Sequence, residues 1–422
     1  MRSSLRRSRL AGAVAALAAA GLLLTACTGD ADPGPAESGA SLPGDIQESL
    51  EAAVEHAIQG SGASGAIVGV WTPWGGDWVS GVGETSPGSG ETPSADMTFR
   101  AGQITRSMTC DVLFSLEDDG VVSREDVVTE YVPSVPGLSE VTLGDLCDDV
   151  SGIHSSRSVQ WRSFSRNLTR EWGPREFIAP GLARGISDAG TWSDSDTGYF
   201  VLGLALENAS HTSMEALIDE YVASPLGLQD TVLPGPTAAE PGALPLPGLY
   251  TTTGAVEQGC EGDPGNVTTL SASFGYADAG VVSSIGDLRV YASSLAETAG
   301  DSEDLPARWA DSLPVNPNGA QWQRTAGGDR LLGSLIGQQG SMPGYATAAY
   351  SDIDSGLTVA VVLNNSAASD VIAGSLAREL AAIAAQAPAT DGGDRPEISL
   401  PWTVEQARES VSNAAVCPIG EG

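Results

Sequence analysis

Nucleophilic catalysis needs a side chain that attacks and a base that takes its proton, and this chain is short of bases. All 20 of its basic residues are arginine, there is no lysine, and the three histidines, His56, His154 and His211, stand far apart. A guanidinium keeps its proton in a protein and cannot serve as a general base. Ser107 sits directly beside Arg106, while Ser151 in VSGI and Ser195 in DSD have no obvious basic partner. The strained GxSxG elbow is absent, since GISDAG is one residue too long. A metal centre fares no better: no CxxC occurs, and DSDTGY begins like a calcium loop but places Tyr199 where the loop requires glycine and Ala205 at its twelfth position. No phosphate-cradling loop is present, and neither a metal nor any other cofactor is expected.

The cysteines carry a different chemistry. Cys27 closes the sequence LTAC after an arginine-rich start, MRSSLRRSR, and the apolar run of residues 10–24. That run is shorter than the ~20 residues a membrane-crossing helix needs, so residues 1–26 read as a cleaved secretory signal and LTAC resembles a lipobox whose cysteine is lipidated. Residues 27–43 then form a lipidated cysteine and a flexible Gly, Pro and Ser tether. The expected location is exported, anchored by lipid on the outer face of the cytoplasmic membrane. Cys110, Cys147, Cys260 and Cys417 are an even set in an exported chain, so two disulfides are expected among three pairings, with Cys110–Cys147 and Cys260–Cys417 preferred. The formal net charge of -34 argues against nucleic acid as a partner.

The elements that must position these groups follow from periodicity. DIQESLEAAVEHAIQG puts Ile46, Leu50, Val54 and Ile58 on one helical face with Gly60 as a stop, and leaves His56 off that stripe in solvent. GAIVGVWTP and GDWVSGVGE predict a hairpin around PWGG, and LLGSLIG, YATAAYSD and GLTVAVVLNN repeat the strand pattern near the other end, before a final helix in DVIAGSLARELAAIAAQ. Between them lie helical stretches around TRSMTCDVLFSLEDDG, TLGDLCDD and SDTGYFVLGLALENA, with His211 in the loop NASHTS. The fold class is α+β: an antiparallel sheet built from both chain ends, flanking helices and an inserted helical lobe, in one domain over residues 44–387, followed by a C-terminal tail over 388–422.

These landmarks also carry a family resemblance. FRAGQITRSMTCDVLFSLEDDGVVSREDVVTEYVP resembles the segment of β-lactamase-related serine hydrolases and D-alanyl-D-alanine carboxypeptidases that holds the catalytic SxxK. VTLGDLCDDVSGI, WSDSDTGYFVLGLALE, SPLGLQDT, FGYADAGVVSSIGDLRVYA and GQQGSMPGYATAAYSDIDSGLTVAVVLNN are similar, in the same order, to the family's SGL, YxN, PLG, GGL and HxG stretches, covering residues 45–386. The resemblance implies a β-lactamase/transpeptidase-like fold. It also implies a serine nucleophile, a lysine one helical turn on, a tyrosine or serine proton relay, and a third-strand motif that closes the site.

The corresponding positions here hold other chemistry. Gln103 stands at the serine position and Arg106 at the lysine position, Asp194 and Asp196 at the tyrosine and asparagine positions, and Gln338 at the titratable position of the third motif, whose glycine is kept as Gly340. An amide does not usefully attack a carbonyl, and an ionised aspartate has the wrong pKa for a phenolic relay. Ser107 is one residue out of register, ~100° around the helix, and His154 follows the SGI turn closely enough for a Ser-His pair to be considered. Three readings follow. The first is a lipid-anchored, catalytically inactive relative that binds or scaffolds an envelope protein or peptide. The second is a serine hydrolase of carboxypeptidase, esterase or β-lactamase type using an unidentified nucleophile. The third is a solute-capturing lipoprotein. If the family geometry holds, Arg106, Asp194 and Asp196 converge on the old centre as an ion-pair network.

Overall fold

The computed structural model describes residues 40–420 except 136, 302–304 and 391–393. The expected signal, Cys27 and most of the tether therefore lie outside the described residues. Its centre is an eight-stranded antiparallel sheet. The strands are β1 (Gly65–Thr72), β2 (Gly76–Gly83), β3 (Leu313–Pro314), β4 (Gln323–Ala326), β5 (Asp329–Leu332), β6 (Leu335–Met342), β7 (Tyr345–Asp352) and β8 (Thr358–Leu363), in the order β2-β1-β8-β7-β6-β5-β4-β3. The two chain ends meet where β1 pairs with β8, Ala66 opposite Leu363 and Trp71 opposite Thr358. Every residue of β1, β7 and β8 is buried, because helices cover both faces.

On one face lie α1 (Gly44–Ser61), α8 (Ser369–Ala384) and α9 (Val404–Ala414), packed around Leu50, Val54, Ile372, Leu376 and Val411. On the other lie α2 (Ile104–Asp118) and α7 (Ile285–Gly300), whose apolar side chains merge with those of the inserted lobe. The lobe contains α3 (Leu143–Cys147), α4 (Arg157–Phe164), α5 (Pro174–Leu182) and α6 (Asp196–Ser210). The α+β architecture expected from the sequence is the one observed. The cysteines pair as Cys110–Cys147 and Cys260–Cys417.

Three boundaries differ from expectation. Described contacts extend upstream of Gly44: the Leu42 amide donates to the Asp77 carbonyl, the Asp77 amide donates to the Ala40 carbonyl at 2.7 Å, and Leu42 is buried. Gly60 does not stop α1; the helix ends at Gly62, in the left-handed region at φ 71°. Gly60 is small for packing, since a Cβ there would meet the Ala415 methyl at 2.9 Å. The stretch after residue 388, expected as a tail, carries α9, which opens with a Thr403/Gln406 capping box and buries Trp402, Ala407 and Val411.

Candidate functional site

The site lies where the first turn of α2 meets β6 and the lobe. Gln103 is the residue preceding α2, and Arg106 is in the helix's first turn. Gly340 on β6 allows this approach: a Cβ there would lie 2.1 Å from the Gln103 backbone nitrogen. The glycine kept from the third motif thus admits the start of α2. A cation in the first helical turn opposes the helix dipole and needs strong compensation.

Three carboxylates supply it. The Arg106 guanidinium, 6% exposed, lies 2.9 Å from Asp149, 2.7 Å from Asp194 and 2.7 Å from Asp278, with its face 4.7 Å from the centre of the Tyr199 ring. Arg106 Nε also donates to Asp278 Oδ1 at 2.7 Å. Arg157, the first residue of α4, reaches Asp278 at 3.1 Å and Asp194 at 3.6 Å. Asp278 comes from the one-turn helix Tyr276–Ala279. Asp149 follows α3 in the left-handed conformation, φ 57°, and its Oδ1 accepts the Ser195 amide. The Cys110–Cys147 bond ties α2 to the end of α3, two residues before Asp149.

Burial works against the Arg106 charge, but Asp278, Asp194 and Asp149 outweigh it and raise its pKa further. Burial also opposes ionisation of Asp194, yet Arg106 and then Arg157 hold its carboxyl below the usual carboxylate range. Asp149 goes the other way. Burial pushes it well above the ordinary value, Arg106 pulls it back, and Asp194 and Asp278 push it up again. Of the three carboxylates, Asp149 has Arg106 as its one ion-pair partner among the described residues, whereas Asp194 and Asp278 also face Arg157.

The remaining expected positions are equally occupied. Gln103 Oε1 accepts the Ser341 amide at 2.6 Å, and its Nε2 faces Asp278 Oδ2 at 3.5 Å. Gln338 Nε2 donates to the Gly328 carbonyl at 2.6 Å, and its Oε1 accepts from Arg330. Gln339 turns to the α8 side, donating to Asp370 and accepting from Tyr350. Asp196 does not join the arginine network: its two oxygens accept the Ser156 amide at 2.8 Å and hydroxyl at 2.9 Å. Asp194 is therefore brought to Arg106 and Asp196 is not. Asp149, Asp278 and Arg157 were missed from sequence, although DDVSGI and FGYADAG, two of the family-like stretches, carry the two acids.

Among the described residues, Ser107, Ser151 and Ser195 have no histidine beside them, and the two serines that do face one, Ser187 opposite His154 and Ser412 opposite His56 at 3.0 Å, are exposed and do not line this centre. Ser107 is buried and donates to the Gly328 carbonyl. The Ser151 hydroxyl accepts its neighbour Ile153's amide, Ser195 caps α6 by accepting the Gly198 amide, and His154 pairs with exposed Ser187 at 3.3 Å. Among the described residues, no group of three or more His, Cys, Asp or Glu is placed to hold a metal ion.

The cavity that Arg106 lines is small, about 30 Å³. Beside it opens a cleft of about 540 Å³ that includes Trp161, Tyr250, Phe274, Met342, Asp194 and Ser341 in its lining.

The beta-lactamase family model matches residues 50–383, most of the chain. The chain belongs to the beta-lactamase family. Among curated relatives it is 29% identical over 227 residues to the D-alanyl-D-alanine-carboxypeptidase/endopeptidase AmpH of Escherichia coli, a match covering 47% of this chain and 57% of that protein. Among solved structures, a D-stereospecific amidohydrolase from Streptomyces sp. superposes with a TM-score of 0.67 at 20% identity, over 79% of this chain and 97% of that one. A penicillin-binding protein homologue from Pyrococcus abyssi gives 0.62 at 20% identity, over 79% and 76%. At these identities the structures attest the fold alone. This family member holds an amide, a guanidinium and a carboxylate where the resemblance implies serine, lysine and tyrosine.

Proposed function

We propose that this chain is a catalytically inert member of the beta-lactamase family that acts as a binding or scaffold protein at the cell envelope. The observation that carries the reading is the closure of the old centre by its own side chains. Arg106 is clamped by three carboxylates, and the backbone N–H of Ser341, the amide next to the vacated nucleophile position, is already taken by Gln103. Acyl transfer needs an attacking group, a base and free donors for the developing oxyanion. This centre holds no serine at the nucleophile position and no lysine or tyrosine to take its proton, and the Ser341 amide is not free.

A fluorophosphonate or a fluorescent penicillin tests the reading directly. No covalent adduct is expected, and an acylated residue would return the protein to the hydrolases. The envelope location rests on the signal-like start and LTAC; among the described residues, no helix is long and apolar enough to cross a membrane. Cys27→Ala should release the protein from the membrane fraction and abolish incorporation of a fatty-acid label, and unchanged partitioning would remove the anchor from the proposal.

A further inference from the structure

Four lining groups of the open cleft beside the closed centre carry formal charge: Arg157, Asp194, Asp196 and Asp278. Three carboxylates line it against one guanidinium; Arg157 is committed to Asp278 and Asp194, and Arg106, outside the lining, pairs with the same two. Asp278 is buried and Asp196 is bonded to Ser156, but the Asp194 side chain is 47% exposed and its Oδ2 has only the 3.6 Å contact to Arg157. It is the one carboxylate of the three with an oxygen open to an incoming group.

Three other lining residues, Trp161, Tyr250 and Phe274, are aromatic. The Trp161 ring lies 5.1 Å from that of Tyr250 and 6.2 Å from that of Phe274, both tilted or edge-on, and Phe274 stacks at 3.9 Å on Phe164 behind it. All three lining rings are only partly buried. The cluster is therefore packed against Phe164 and left partly uncovered. The volume falls in the range of small-molecule sites, and π faces near a carboxylate favour a cation with an apolar body.

We propose that the cleft binds a small organic cation, a primary ammonium against Asp194 with its aryl or branched apolar group on Trp161, Tyr250 and Phe274, and that it rejects carboxylates. The inference rests on the inert-centre reading, because Arg106 attracts an anion only if its three carboxylates release it. It replaces an open choice of ligand with a charge sign and a size.

Calorimetric titration of the whole exported domain with 2-phenylethylammonium, 2-phenylethanol and 3-phenylpropionate tests it. These probes share the ring and differ at the head group. The ammonium is expected to bind at least about tenfold more tightly than the carboxylate, which meets like charge, and to weaken as salt is raised. Asp194→Asn should lower ammonium affinity about fivefold and leave the alcohol unchanged. Trp161→Ala should weaken both, and its melting temperature checks that the fold is intact. Equal or stronger binding of the carboxylate, no binding of any probe at millimolar concentration, or affinity indifferent to both substitutions would overturn the proposal. Those results leave the inert reading standing, whereas labelling by a fluorophosphonate removes that reading whatever the amines do.

Discussion

Replacing Arg106 by alanine removes the one group that touches all three carboxylates of the closed centre. Arg157 still faces Asp194 and Asp278, so the residue left without a charged partner is Asp149, 6% exposed, which keeps only the Ser195 amide. Breaking a buried, hydrogen-bonded ion pair from one side costs about 3–5 kcal/mol. With an unfolding entropy of about 2.1 cal/mol/K per residue, a unit running from Gly39 to Gly422 should lose roughly 4–6 °C in melting temperature. The loss should depend on pH. Burial already raises the Asp149 pKa, and removing Arg106 raises it further. A carboxyl whose folded pKa exceeds its unfolded value stabilises the fold below the unfolded value, and that contribution fades as pH rises through the folded one. The deficit of Arg106→Ala is therefore largest at pH 8 and shrinks toward pH 5, and Asp149→Asn in the same background should recover part of it. Calorimetric melting of the three proteins at both pH values decides the matter. An unchanged melting temperature, or a deficit that grows on acidification, would refute the network as a source of stability.

Restoring Gln103→Ser and Arg106→Lys together should yield no acylation by a fluorescent penicillin, because a lysine among Asp149, Asp194 and Asp278 keeps its proton; a labelled protein would contradict this. Asp329, buried against Arg308 and Trp309, has its carboxyl pushed by burial up to about 6. Its stabilising share is complete only well below the unfolded value of 3.8 and is lost as pH rises through 6, so wild type should gain on Asp329→Asn by roughly 2 kcal/mol between pH 7 and 4, and a flat difference in melting temperature would refute it. Cys417→Ser opens a loop of 157 residues, worth at most about 5 kcal/mol of chain entropy. Amide exchange in α9 should accelerate ahead of that in β7 and β8, and equal protection in the variant would count against the disulfide as the clamp on that helix.

The fold was legible because its signals are local. Hairpin β1/β2, the strands from β6 to β8 and helices α1, α2 and α8 each announce themselves by periodicity and turn residues within their own span, and the residues at the positions the resemblance points to can be read off one by one. What those positions do instead was not legible. Asp149, Asp194 and Asp278 come from three separate loops or helix starts, and only the packing of the lobe against α2 brings them within 3 Å of one guanidinium. Asp196, two residues from Asp194, illustrates the limit: it looked equally suited to Arg106, yet the backbone entering α6 turns it to Ser156. The tail likewise lacked long-range evidence in sequence, since α9 is held by α1, α8 and Cys260 rather than by its own propensity. The chain's composition alone decides that no lysine base exists. Which acids neutralise the arginine in its place, and which carboxylate remains open to a cleft, are decided by tertiary contacts, because charge pairing depends on distance in space and not on separation along the chain.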